Sequence, residues 1–408
     1  MRRLELLSPA GDMRTLKTAE YFGADAVYAA GKSYGLRAYA DNFTADEIRE
    51  AALYLHERGK KLYVAVNAFF RDADFDGFGE YLRGLVEARA DAVIVSDPGA
   101  LRTVKEIAPG IPVHLSTQAN TMNSASALFW YGQGVKRIIM SRELSLGEIA
   151  EIRKNTPDTL EIEAFAHGAM CISYSGRCLL SSFLTGRSAN RGQCAQPCRW
   201  EFALSEKGCG GEYFPVFEDG RGTFILNSKD LCMIRHLGKM AEAGITSVKI
   251  EGRMKSQYYV GCVTKAYRRA IDALERGEGF DEALLAEAGK AGSRAFTTGF
   301  YFGDPREEGQ DTEGCAPASE YDFVAVVTGE KNKDGLIRIE QRGKFLAGDE
   351  LEVLSPVVDG TFTVTDIFTP EGERRTGAPH PCEPLLIACP YGLKPFDMLR
   401  KKRTAKSG

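Results

Sequence analysis

One pattern of apolar and polar positions recurs through the first 250 residues. A helical stretch ends, often at a glycine, and a few residues later the chain turns into a short apolar run. It reads Gly23-Ala-Asp-Ala-Val-Tyr, Ala90-Asp-Ala-Val-Ile-Val, Gly134-Val-Lys-Arg-Ile-Ile-Met and Gly244-Ile-Thr-Ser-Val-Lys-Ile. The glycine supplies a left-handed helix cap, and the apolar run predicts a strand buried on both faces. Between the runs lie amphipathic segments such as Thr44-Ala-Asp-Glu-Ile-Arg-Glu-Ala-Ala-Leu-Tyr-Leu, where Thr44 and Glu47 form a capping box. Strands are predicted at 4–8, 26–30, 61–68, 92–96, 112–117, 137–141, 161–166 and 247–251. Eight strands alternating with helices predict an α/β fold, a (β/α)8 TIM-like barrel. An open doubly wound sheet is the competitor, but no phosphate-binding glycine fingerprint follows the first strand.

The rhythm breaks after the seventh strand. An insertion of about 168–246 separates it from the eighth, far beyond an ordinary connection. A hairpin-like stretch from Phe202 to Leu226 and a helix from about Leu231 are expected within it. The barrel would occupy 1–302 and a polar, glycine-containing linker 303–319. The periodicity then changes to two, in Phe323-Val-Ala-Val-Val, Leu336-Ile-Arg-Ile-Glu, Asp349-Glu-Leu-Glu-Val-Leu, Thr361-Phe-Thr-Val-Thr and Leu385-Leu-Ile-Ala. This predicts a small C-terminal all-β barrel or sandwich at 320–400, followed by a solvated basic tail at 401–408.

Charge and composition narrow the classes of function. A net charge of -4 excludes a global field that draws the chain to nucleic acid, so such binding needs a local patch. No apolar run reaches the ~20 residues of a membrane span, and the first residues lack a signal peptide's apolar region. A cytoplasmic protein that engages no membrane is expected. In that reducing setting ten cysteines are poorly explained by disulfides.

Four of those cysteines, Cys171, Cys178, Cys194 and Cys198, open the insertion with the spacing C-x6-C-x15-C-x3-C. Thiolates are soft ligands, and four suit an iron–sulfur cluster or a structural zinc. The tight C-x2-C pairs of zinc ribbons are missing, which favours a cluster gripped by a loop; redox-active thiols remain a third reading. Arg177, Arg187, Arg191 and Arg199 flank the cysteines and would offset cluster charge, or simply solvate an exposed loop. Cys232 and Cys262 lie in apolar helical patterns and read as core.

A second constellation is the set of polar residues at the predicted carboxyl ends of the strands. It comprises Ser8, Asn67, Asp97, Gln118-Ala-Asn120, Ser141-Arg-Glu143, His167-Gly and Lys249-Ile-Glu-Gly-Arg253. A ring of polar tips on one face is not what core packing requires. Arg142, Lys249 and Arg253 suit an anionic substrate, with Gln118 as a further contact, unless they pair internally with Glu143 and Glu251. His167, Glu251 and Asn67 are the candidate catalytic groups. His114, inside a strand, reads equally well as a satisfied core histidine. No nucleophile elbow, H-E-x-x-H or phosphate-cradling loop occurs.

The stretch Glu163-Ala-Phe-Ala-His-Gly-Ala-Met-Cys-Ile-Ser-Tyr-Ser-Gly-Arg-Cys-Leu-Leu-Ser resembles the collagenase-like U32 peptidase family. Leu7-Ser-Pro-Ala-Gly, Gly23-Ala-Asp-Ala-Val-Tyr, Asn227-Ser-Lys-Asp-Leu and Lys249-Ile-Glu-Gly-Arg-Met-Lys-Ser also resemble its motifs. The resemblance covers 4 to about 300, and the β segment matches the family's usual extension. The cysteine spacing resembles the branch that hydroxylates the wobble uridine of tRNA. That branch implies 5-hydroxyuridine formation without molecular oxygen, with prephenate as the associated metabolite. It also implies a 4Fe-4S cluster on Cys171, Cys178, Cys194 and Cys198. The expected partners are tRNA, prephenate or a similar dicarboxylate, and a partner protein of the same family. The arginine-rich loop and β domain would meet the phosphate backbone. Two rival readings stay open, a U32 peptidase with a cysteine nucleophile and a non-catalytic zinc-stabilised RNA-binding scaffold.

Overall fold

A computed structural model describes residues 3–36, 41–171, 229–292, 294–305 and 320–403, together with 173, 178, 180–187, 189, 193–197, 218–219 and 222–223. Barrel strands β1 (Glu5–Pro9), β2 (Ala26–Ala29), β3 (Lys61–Val66), β4 (Ala92–Val95), β5 (Val113–Leu115), β6 (Arg137–Ile139) and β7 (Glu161–Ala169) pair in parallel and in order. The short β8 (Glu218–Asp219) and β9 (Gly222–Thr223) form a hairpin inside the insertion. β10 (Asp230–Cys232) follows, and β11 (Ser247–Ile250) closes the barrel by pairing with both β7 and β1. The barrel expectation holds, strand for strand.

The recurring phrase has a local cause. Gly23, Gly134 and Gly244 take positive φ angles of 100°, 81° and 85°, the left-handed cap that a Cβ disfavours. The aspartates of the phrase then fasten neighbouring strands. Asp25 accepts the Leu6 amide at 2.9 Å, and Asp91 accepts the Leu62 amide at 2.8 Å. The connecting helices are α1 (Met13–Tyr21), α2 (Ala45–His56), α3 (Phe78–Glu87), α4 (Pro98–Ile107), α5 (Ser124–Gly132) and α6 (Leu146–Lys154). The Thr44–Glu47 capping box is formed. After β7 come α7 (Leu180–Thr185), α8 (Leu237–Glu242), α9 (Gln257–Glu275) and α10 (Glu282–Gly289).

One expectation within the insertion needs correction. The helix expected from about Leu231 is instead strand β10, which runs antiparallel to the end of β7 and parallel to β12 (Phe296–Thr297). A 3-10 turn follows at Ile234–His236, and the α-helix starts at Leu237. The run Leu231-Cys-Met-Ile is too short for periodicity to separate strand from helix, and pairing with the overhanging end of β7 decides. Most of the expected Phe202–Leu226 hairpin lies outside the described residues.

The second domain is all-β and antiparallel. Its strands are β13 (Tyr321–Gly329), β14 (Leu336–Gln341), β15 (Phe345–Leu346), β16 (Glu350–Leu354), β17 (Asp359–Thr363), β18 (Ile367–Phe368), β19 (Arg374–Arg375), β20 (Gly377–Ala378), β21 (Pro384–Ala388) and β22 (Met398–Lys402). Lys401 and Lys402 therefore belong to β22, not to a tail, and Lys401 pairs with Asp349 at 2.6 Å. The domain docks on α9 through a patch of Phe22, Tyr258, Cys262, Val326, Leu354 and Met398. Tyr258 and Phe323 stack across the junction at 5.3 Å.

Candidate functional site

The carboxyl end of the barrel forms a pocket that opens to solvent. Of the residues expected at the mouth, Asn67, Gln118, Arg142, Lys249, Glu251 and Arg253 line it, joined by Tyr28, Leu36, Ala65, Ile94, Ser116, Thr117, Ile139 and Phe165. Strand alternation puts Asn67 on the continuation of β3's inward row and Lys249 and Glu251 on that of β11.

Arg142 lies with its guanidinium 3.8 Å from the Phe165 ring centre, 3.9 Å from a Glu251 carboxylate oxygen, and donates to the Ala169 carbonyl at 2.9 Å. Lys249 donates to Glu163 at 3.0 Å and sits 4.0 Å from the centre of the Tyr28 ring. Burial pushes its pKa down, while the carboxylates of Glu163 and Glu251 oppose that shift. The amides of Asn67 and Gln118 are linked at 3.0 Å, and Asn67 also accepts the Leu36 amide at 3.2 Å. The lining carries three cations, Arg142, Lys249 and Arg253, against one carboxylate, Glu251. That balance suits an anion, and the amide pair suits a planar group with both donors and acceptors.

His167 is not part of this cavity. The register of β7 against β11 shifts between Lys249 and Ile250, so Lys249 pairs with Phe165 and Ile250 with His167. This bulge reverses the alternation and turns His167 outward, among Tyr259, Tyr267 and Phe296. Neither ring nitrogen has a hydrogen-bond partner among the described residues, and burial lowers its pKa to about 3. His167, expected as a catalytic group, thus lies apart from the pocket that holds the other expected residues. Ser8 also faces out, sharing a hydrogen bond with Thr264 at 3.0 Å, and Asp97 serves as the cap of α4. His114 packs edge-on against Tyr63 at 4.6 Å, and burial holds its pKa well below the usual histidine value.

The cysteine segment begins where the cavity ends. Cys171 follows β7 by two residues and is exposed, Cys178 is buried and Cys194 is half-buried. Ser181 accepts the Ala195 amide at 3.0 Å, which fastens the stretch after Cys178 to the one after Cys194. The Gln196 amide donates to the Cys194 sulfur at 3.4 Å, as amides commonly do to sulfur ligands. These features fit a thiolate-ligated group. Cys198, Arg177, Arg191 and Arg199 lie outside the described residues. Among the described residues, no three His, Cys, Asp or Glu side chains gather around a single-ion position.

Residues missed from sequence include Tyr28, Ser116, Phe165 and, beneath the cavity, Glu163. The signal was available for Glu163 and Lys249, since each is a charge inside a run otherwise apolar on both faces.

No helix among the described residues is long and apolar enough to cross a membrane. Residues 11–311 match Peptidase family U32, and residues 319–400 match the Peptidase family U32 C-terminal domain. The chain is 39% identical to tRNA hydroxylation protein P1 of Bacillus subtilis, over 98% of this chain and 95% of that protein. It is 38% identical to the 23S rRNA 5-hydroxycytidine C2501 synthase of Escherichia coli, over 68% of this chain and 41% of that protein. It is 31% identical to a collagenase of Porphyromonas gingivalis, over 86% of each. The chain, barrel and C-terminal domain together, belongs to peptidase family U32.

Proposed function

We propose that this chain is an RNA-modifying enzyme that hydroxylates C5 of the wobble uridine of tRNA without molecular oxygen. The observation that carries the reading is the junction at Arg142. One side chain lines an anion-suited cavity and holds the Ala169 carbonyl, two residues before the first of four clustered cysteines. The near full-length likeness to a tRNA hydroxylation protein and the likeness to a 5-hydroxycytidine synthase support it, since both names denote RNA hydroxylation.

Replacing C5–H by C5–OH is a two-electron oxidation. Without oxygen gas, the oxygen atom must come from water or a co-substrate and the electrons must leave to an acceptor. A 4Fe-4S cluster held by Cys171, Cys178, Cys194 and Cys198 supplies one-electron transfer when bound; zinc on the same thiols would not. In this reading Arg142, Arg253 and Lys249 hold the carboxylates of prephenate or a similar dicarboxylate by charge-assisted bonds. The Asn67–Gln118 amide pair faces the uracil edge, and the water-poor floor strengthens each polar contact. The peptidase reading finds little support in the Cys–His pair that the described residues bring together. Cys232 lies across from His167 in the β7–β10 pair, but burial raises the thiol's pKa and His167 makes no hydrogen bond among the described residues.

The test is anaerobic incubation of purified protein with unmodified tRNA, prephenate and a one-electron acceptor dye that takes up the two electrons in turn, followed by nucleoside mass spectrometry. Formation of 5-hydroxyuridine that requires iron-loaded protein is expected. Gelatin cleavage by the same preparation, with tRNA unchanged, would overturn the proposal.

A further inference from the structure

The lumen below the cavity is charged where a barrel of this type is usually filled by branched apolar side chains. Glu163 is fully buried, and its two carboxylate oxygens face two cations, Arg137 at 3.1 Å and Lys249 at 3.0 Å. Arg137 in turn binds Glu5 at 2.6 Å and Glu161 at 2.7 Å. Glu5 is fixed by Tyr63 at 2.8 Å and Ser247 at 2.9 Å. The chain of contacts therefore runs from the amino end of the barrel to the cavity floor.

It is not a proton path, because Arg137 stands in the middle and a guanidinium does not deprotonate in proteins. Nor does stability require it, since well-packed apolar residues commonly replace buried ion pairs without loss. Its end at the pocket is the Lys249 ammonium, and its other end is the half-exposed Glu161.

We propose that Glu163, clamped by Arg137, is the positioning residue that keeps Lys249 charged and aimed at the cavity, so that the floor accepts an anionic group. This rests on the cavity being an anion site. The groups facing Lys249 are Glu163 on β7, Glu251 beyond its own strand, Arg137 on β6, His114 on β5 and Tyr28 on β2. The two carboxylates favour the ammonium, whereas burial and Arg137 favour the amine. His114 is held neutral by burial and adds no charge near neutrality.

Amine labelling with a small acylating reagent across pH, quantified on the Lys249 peptide of the full-length protein, reads the charge of Lys249 independently of RNA chemistry. In Glu163→Gln the labelling midpoint falls by about 1 pH unit or more, a tenfold rise in neutral amine at a given pH. Prephenate binding by that variant then weakens above the new midpoint and returns below it. An unchanged midpoint in folded Glu163→Gln would overturn the proposal. Should that variant fail to fold, Glu251→Gln decides: a midpoint near wild type supports control by Glu163, and a fall of a full unit contradicts it. The labelling result stands even if the protein hydroxylates no RNA, so the two proposals fail separately.

Discussion

Arg142 shows how much one side chain can join at this site. Its planar fork reaches the Ala169 carbonyl at 2.9 Å while the same guanidinium lies over Phe165. A lysine would keep the charge and lose both the fork and the stacking. In Arg142→Lys, steady-state kinetics should show the KM for the dicarboxylate raised roughly ten- to a hundredfold, the equivalent of one charge-assisted hydrogen bond of roughly 1.5–3 kcal/mol, with kcat less affected. His167 makes the opposite case. Its pKa in the fold, about 3, lies below the unfolded value near 6.5. Its stabilising contribution is therefore complete above about pH 6.5 and is lost as pH falls towards 3. Urea melts of wild type and His167→Phe should diverge over that window. The variant should lose less stability on acidification and keep its activity. Equal slopes would show that His167 does not titrate as described.

At the scale of elements, most of the barrel was legible because each β-strand is an apolar run bounded by capping residues. What escaped was phase and partnership. Sequence alternation carries Glu163 and Phe165 into the lumen and would carry His167 with them. A bulge arises from pairing with β11 and is not encoded in the local pattern of β7. Likewise β10 is a strand only because β7 overhangs the barrel to receive it. β22 was read partly as a tail because its end is written in lysines, whose charges face Asp349 and solvent while Met398 and Leu399 fill the interior. The junction between domains is also an element-scale device. Arg400 of β22 is 1% exposed and reaches Glu287 of α10 at 2.9 Å, with Glu352 of β16 at 2.5 Å. Arg400→Met leaves both carboxylates without this partner, at an expected cost of about 3–5 kcal/mol. Differential scanning calorimetry should resolve the single unfolding transition of the full chain into two.

For the whole molecule, the sequence located the candidate cavity through the ends of its strands. Six of the seven expected non-cysteine site residues meet in one pocket. Of the floor beneath it, the sequence shows only that Glu163 is a charge in an otherwise apolar run; its pairing with Arg137 and Lys249 follows from barrel closure. The C-terminal domain covers α9 with an apolar patch and surrounding ion pairs, Lys265–Asp359 at 2.7 Å and Lys290–Glu352 at 2.6 Å among them. That docked surface is therefore not available to RNA, and any contact the domain makes with RNA uses its other faces. The central claim is that cavity and cysteines together hydroxylate tRNA uridine. The most direct measurement is mass spectrometry of tRNA nucleosides from cells lacking this gene and its paralogues, complemented with wild type or with Cys194→Ser. The account predicts that nucleosides derived from 5-hydroxyuridine vanish on deletion, return with wild type and stay absent with Cys194→Ser. Unchanged nucleosides in the deletion, or full restoration by Cys194→Ser, would contradict it.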